Sequence, residues 1–139
     1  MRYPFFPSQD PTLGGEPPLP SEIPSDATSV LIVGPATAER QFFAAALRRQ
    51  GYWVLEARNR TEALRSVKGC RVDLVVSEAG LRARDTATRL HERFRTAQLL
   101  FLSSRQLRKG LPHAHVIRKP VARKELLARV QEIIGRPKH

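Results

Sequence analysis

The sequence predicts an α/β fold: a doubly wound, five-stranded parallel sheet covered by helices, behind a disordered N-terminal tail. Three observations predict it. Five short apolar runs, each too short for a helix and several rich in Val, Ile and Leu, are spread along the chain. Between most of them lie longer stretches in which apolar residues return every three to four positions, the spacing of one helical face. The strand runs are also largely continuous rather than alternating, which suits strands buried on both faces of a parallel sheet.

Taken in order, Val30-Leu31-Ile32-Val33 is an uninterrupted apolar run stopped by Gly34-Pro35, a buried strand followed by a turn. Residues 38–50 form a helix with Phe42, Phe43, Ala46 and Leu47 at helical spacing, Arg48-Arg49 near its carboxyl end and Gly51 as its stop. Residues 52–57 read as a second strand. A short helix over 60–68 follows, with Asn59 as its cap, Ala63, Leu64 and Val67 on one side, and Gly69 closing it. A third strand spans 72–77 and leads to Glu78. Residues 81–85 read as a loop and 86–95 as a third helix presenting Leu90 and Phe94. Strands at 98–103 and 114–118 enclose a short basic segment, 104–111, that amounts to a turn of helix at most. The last helix, 123–134, turns Leu126, Leu127, Val130, Ile133 and Ile134 inward and ends at Gly135 and Pro137. Right-handed crossovers joining parallel strands complete a doubly wound sheet of flavodoxin type.

Residues 1–28 differ from the rest. They hold seven of the eleven prolines, Gly14-Gly15 and several serines, with no apolar periodicity, and read as a disordered tail or linker. Tyr3-Pro4-Phe5-Phe6-Pro7 is an aromatic exception that either docks on another protein or folds back on the domain. The folded domain is expected over 29–135, with 136–139 as a short C-terminal tail.

Net charge is +11, and the tail carries −3, leaving +14 on the remainder. Such a field suits a polyanion or an acidic protein surface. Yet arginines outnumber lysines 19 to 5 and are scattered through the predicted helices, a pattern that coding bias also produces. No apolar run is long enough to cross a bilayer, and the prolines near the amino terminus argue against a signal peptide. The single cysteine, Cys70, excludes an internal disulfide and suits a cytoplasmic protein.

Chemistry-bearing motifs are sparse. His113-Ala114-His115 lacks a neighbouring cysteine or carboxylate cluster and reads as a loop and a strand histidine rather than a metal site. Cys70 has no visible activating group, Ser103 no base, and the chain no glycine-rich phosphate loop. No metal or cofactor is expected. Glu78, at the carboxyl end of the third strand, stands where parallel sheets gather their ligands.

The ordered set Asp73-Leu74-Val75-Val76-Ser77-Glu78, Leu102-Ser103-Ser104 and Ile117-Arg118-Lys119-Pro120, with Asn59-Arg60-Thr61-Glu62-Ala63-Leu64, resembles the CheY-like receiver domain of bacterial two-component response regulators. The resemblance covers residues 29–135. It implies a phosphoacceptor position at Glu78, a hydroxyl position at Ser103 and a phosphoryl-binding lysine at Lys119. In that family an aspartate accepts the phosphoryl group, while acidic residues after the first strand help hold Mg²⁺.

The departures from the family pattern are at the site itself. Glu78 replaces the aspartate and is one methylene longer. Gly34-Pro35 replaces the acidic pair and offers no side-chain oxygen to a metal that prefers octahedral oxygen ligation. Glu39 is a conceivable substitute, but its place on the first helix is more often solvated. Val116 stands where receivers usually carry a switching aromatic, and the shortened 104–118 segment compresses the family's fourth helix.

The resemblance therefore implies a degenerate receiver that does not accept a phosphoryl group. It would act in phosphorelay signalling as a phosphorylation-independent interaction module, not an enzyme. Glu78 and Lys119 then form either a structural ion pair or a permanent imitation of the acidified state, and the two roles are compatible. A partner face is expected from Arg105, Arg108, Lys109, Val116, Arg118, Arg123, Lys124 and Arg129, whose charge suits an acidic protein. Non-specific nucleic-acid binding by the same surface is the alternative, as is a remnant of a hybrid kinase or regulator; a membrane partner is not expected.

Overall fold

A computed structural model describes residues 23–24, 26–66, 71–107 and 109–137. The expectations placed on Tyr3-Pro4-Phe5-Phe6-Pro7, on Val67, Gly69 and Cys70, and on Arg108 lie outside the described residues, as does most of the expected tail.

The elements run β1 (Ser29–Val33), α1 (Ala38–Gln50), β2 (Trp53–Ala57), α2 (Arg60–Ser66), β3 (Leu74–Glu78), α3 (Ala83–Arg93), β4 (Gln98–Ser103), β5 (His115–Arg118) and α4 (Arg123–Ile134). All five strands are parallel, in the order β2-β1-β3-β4-β5. The order reverses at β1, so β1 and β3 flank the switch point at which open α/β sheets form a crevice.

Pleating sorts the core into two layers. Leu31, Val33, Val75, Leu99 and Phe101 face one side, where Ala63 of α2 and Ala83, Ala87 and Leu90 of α3 cover them. Val30, Ile32, Leu74, Val76, Leu100 and Leu102 face the other, against Phe43, Ala44 and Leu47 of α1 and Leu126 and Val130 of α4. All five positions of β1 are buried, as its continuous apolar sequence requires.

Local polar chemistry fixes the ends. Thr37 caps α1 by accepting the Arg40 amide at 3.2 Å, and Gly51 ends it in the left-handed conformation at φ 106°. Asn59 accepts the Glu62 amide at 2.9 Å, the cap expected for α2. The buried Ser29 amide donates to Asp73 Oδ2 at 2.8 Å, tying the start of β1 to the approach to β3. Tyr52, fully buried, donates its hydroxyl to the Gly135 carbonyl at 2.8 Å and so fastens the end of α4 to the approach to β2.

Two expectations are corrected, and the segment after β4 stays within the single helical turn at most that was expected of it. The segment 81–85 is not wholly a loop, because α3 begins at Ala83; its N-cap, Arg82, makes no side-chain cap bond, so the sequence carries no start signal there. Phe42 is 51% exposed, because α1 buries the stripe Phe43, Ala44, Ala46 and Leu47 instead. Between β4 and β5 the described residues form no helix, only bends and turns.

Candidate functional site

The two-residue period of the strands decides which side chains meet. Gly34 follows Val30 and Ile32 in phase, Glu78 follows Leu74 and Val76, and Lys119 follows Ile117. All three therefore lie on the α1/α4 side of the carboxyl edge. Ser103 is in phase with Leu99 and Phe101, which belong to the opposite layer.

Lys119 is the centre of the resulting group. Its Nζ donates to Glu39 Oε1 at 2.8 Å and forms a shorter bond with Glu78 Oε1. One ammonium thus joins the first turn of α1, the end of β3 and the residue after β5. Burial by itself disfavours the ammonium, but the hydrogen bonds and charges of Glu39 and Glu78 outweigh it and hold the Lys119 pKa above the ordinary lysine value. Lys119 is therefore a cation at neutral pH. The Lys119-Pro120 peptide is cis.

Gly34 makes room for the longer carboxylate. A Cβ on Gly34 would stand 3.0 Å from Glu78 Cγ. The glycine after β1 and the glutamate at the end of β3 are sterically complementary, one giving the space the other takes. Below them a cavity of about 140 Å³ reaches from Pro35, Glu39 and Lys119 down to Phe43, Val76 and Leu126.

Arg40 seals the neighbouring edge, and its role was not read from the sequence. Its Nη1 donates to the Gly34 carbonyl at 2.6 Å, and its Nε donates to Glu56 Oε1 at 3.0 Å. Arg48 holds the other Glu56 oxygen at 2.7 Å. A signal existed: a cation in the first turn of a helix opposes the helix dipole and calls for a compensating partner.

Ser103 stays apart from this group. Its fully buried hydroxyl donates to the Arg105 carbonyl at 2.7 Å and accepts the Arg105 amide at 3.1 Å, closing a local turn after β4. Glu39, in contrast, is no idle solvated carboxylate but half of the Lys119 clamp. Val116 is half-buried against the α2/α3 layer.

On the expected partner face, Arg105, Lys109, Arg118, Arg123 and Lys124 are exposed and Arg129 is half-buried. Arg118 donates to Gln106 Oε1 at 2.7 Å, Arg105 to the Gly80 carbonyl at 3.1 Å, and Arg129 lies 3.7 Å from Glu132.

No family model matches the chain, and no curated protein matches it. Solved structures do. A response regulator from Thermotoga maritima is 24% identical, with a TM-score of 0.66 over 78% of this chain and 98% of that one. A response regulator receiver protein from Sinorhizobium medicae is 18% identical, with a TM-score of 0.68 over 79% and 96%. The receiver domain of a sensor histidine kinase from Pseudomonas aeruginosa, solved with a magnesium ion coordinated in its active-site cleft, is 22% identical, with a TM-score of 0.65 over 78% and 98%. The fold is that of a receiver domain.

Within that receiver fold, the residues at the carboxyl edge do not fit a magnesium ion. Gly34 and Pro35 bring no side-chain oxygen, and the carboxylates of Glu39 and Glu78 are both turned onto the Lys119 ammonium. Among the described residues no group of three or more His, Cys, Asp or Glu side chains gathers to hold a metal. No helix is long and apolar enough to cross a membrane among the described residues.

Proposed function

We propose that this chain is a degenerate receiver that works in signal transduction as a phosphorylation-independent protein-interaction module, with residues 29–135 as its domain and the cytoplasm as its compartment. One observation carries the reading. Lys119 is held between Glu39 and Glu78, so a cation internal to the protein already engages one oxygen of each carboxylate at the carboxyl edge and offsets part of their charge.

The consequences are chemical. Accepting a phosphoryl group needs a free carboxylate oxygen aligned with the donor and a cation to offset the charge of the transferring oxygens. Glu78 spends an oxygen on Lys119, and with its extra methylene it fills the space beside Gly34. The Ser103 hydroxyl is engaged with the Arg105 backbone. What remains is a fixed arrangement in which α1, β3 and β5 are joined by one ammonium. We assign the domain no catalysis of its own. Its contribution is a constant surface, and the basic residues Arg105, Lys109, Arg118, Arg123 and Lys124 suit an acidic protein partner.

The test is incubation of the full chain with phosphoramidate and with a phosphohistidine donor, each with Mg²⁺, followed by intact-mass measurement. The expected result is an unchanged mass. A stable adduct of one phosphoryl group on Glu78 or any aspartate overturns the proposal.

A further inference from the structure

We propose that the cleft between the start of α3 and the β4–β5 segment docks an acidic amphipathic segment of a partner protein, with Leu81 as the apolar anchor. The inference rests on the interaction-module reading and gives that module a specific site.

The cleft lies beside the β4–β5 connection, which forms no helix among the described residues. It is an open depression of about 570 Å³, a volume within the roughly 300–1,000 Å³ typical of ligand-binding clefts. Leu81, Ala83, Leu107 and Leu111 supply its apolar lining. Leu81 is 92% exposed, one of two large hydrophobic side chains left open to solvent among the described residues. An isolated surface leucine means little, but this one stands over a concave apolar lining.

The rim is cationic. Arg84, Arg105 and Lys109 line the cleft, and among the described residues no carboxylate does. The nearest acid on α3, Asp85, is already shared by Arg60 at 2.7 Å and Arg89 at 3.1 Å. Among the described residues Arg84 and Arg105 donate only to backbone carbonyls, those of Gly110 and Gly80, and no acidic side chain there offsets their charge.

This combination selects the occupant. A polyphosphate backbone would use the cations and leave the leucines idle. A purely apolar helix would leave the arginines without counter-charge. A segment with leucines or aromatics on one side and carboxylates flanking them uses both, the helix-in-groove mode of recognition. Such an anchor contributes affinity through burial, while the charges set orientation and encounter rate.

The test uses the full chain and a fluorescein-labelled synthetic peptide of about 15 residues, an amphipathic length by helical periodicity. It is built from Glu, Asp, Ala and Leu, with leucines at i, i+3, i+4 and i+7. A scrambled peptide of equal composition and a short DNA duplex serve as comparisons. The expected result is saturable binding of the patterned peptide, with amide shifts concentrated at Leu81, Arg84, Leu107 and Gly110. The Leu81→Ser variant should bind about tenfold more weakly, matching loss of one buried leucine contact. Because Leu81 is exposed, that variant keeps its fold. Reversing charge in Arg84→Glu/Lys109→Glu should also weaken binding.

Equal binding of patterned and scrambled peptides, or shifts spread over α1 and α4, overturns the proposal in favour of unspecific charge attraction. Tighter binding of DNA through the same amides overturns it in favour of nucleic acid. Cleft shifts produced by neutralising Asp10, Glu16 and Glu22 in the full chain would assign the cleft to the chain's own N-terminal segment. A failed peptide titration beside an unphosphorylated Glu78 removes this docking site and leaves the proposed function standing.

Discussion

Replacing Gly34 by alanine tests the central packing relation of the site. The added Cβ would lie 3.0 Å from Glu78 Cγ, which Lys119 holds in place. Overpacking of this kind costs about 1–3 kcal/mol. A second effect has the opposite sign. Gly34 is not among the glycines with positive φ, so alanine fits the backbone and should gain about 0.4–1 kcal/mol by restricting the unfolded chain. The net expectation is a loss of between about 0 and about 2.6 kcal/mol, read at about 4–8 °C in Tm per kcal/mol for a domain of this size. In a Glu78→Ala background the clashing Cγ is gone, while Lys119 keeps its bond to Glu39. The same Gly34→Ala change should then stabilise by about 0.4–1 kcal/mol. Urea unfolding of wild type, both single variants and the double variant closes the cycle. A reversal of sign between the backgrounds is the predicted outcome. Equal effects in both would show that Gly34 and Glu78 do not compete for space.

Other perturbations follow from the same contacts. Lys119→Met removes the ammonium between Glu39 and Glu78 and should cost about 1–2 kcal/mol by urea unfolding, below the figure for a fully buried pair because both carboxylates are partly exposed. Tyr52→Phe frees the Gly135 carbonyl and should cost about 1 kcal/mol, with faster hydrogen exchange at the end of α4. Lys119 has its pKa raised above 10.5 in the folded state, so its contribution is complete below that value and disappears as pH rises through the higher folded value; the Lys119→Met variant should lack this alkaline loss. Asp85 is the acidic counterpart. Hydrogen bonds from Arg60 and Arg89 lower its pKa below 3.8, so its contribution is present above that value and is lost as pH falls through the folded value; Asp85→Asn should flatten that part of the acid Tm profile.

The fold was legible because parallel α/β architecture writes itself as blocks. Val30-Leu31-Ile32-Val33 needs no partner to be recognised as a buried strand, and Phe43 and Leu47 announce a helix by spacing alone. Boundaries were legible only where a local signal marked them. Asn59 and Gly51 did so, whereas Arg82 offers no cap and the start of α3 was placed too late. Phe42 was misplaced because adjacent phenylalanines leave open which of them a helix turns inward.

The site was half legible. Glu78 was found because it ends a strand where such sheets gather their ligands, while Gly34 and Lys119 were placed beside it by the receiver resemblance. Glu39 was undervalued because its partner lies 80 residues away, a distance that periodicity does not bridge. Ser103, at the end of β4, was placed at the site by the receiver resemblance, while the direction of its hydroxyl depends on the turn it makes with Arg105. Leu81 drew no attention, since an exposed leucine acquires meaning only beside a cleft.

The most direct test of the account is a titration of the full chain with Mg²⁺ and beryllofluoride, a phosphoryl mimic, followed by amide NMR at Glu78, Ala79 and Lys119. With Lys119 already bonded to both carboxylates and no side-chain oxygen at Gly34 or Pro35, no saturable shift is expected at these three positions. Saturable shifts there, abolished by omitting either Mg²⁺ or beryllofluoride, would contradict it and restore Glu78 as a working acceptor site.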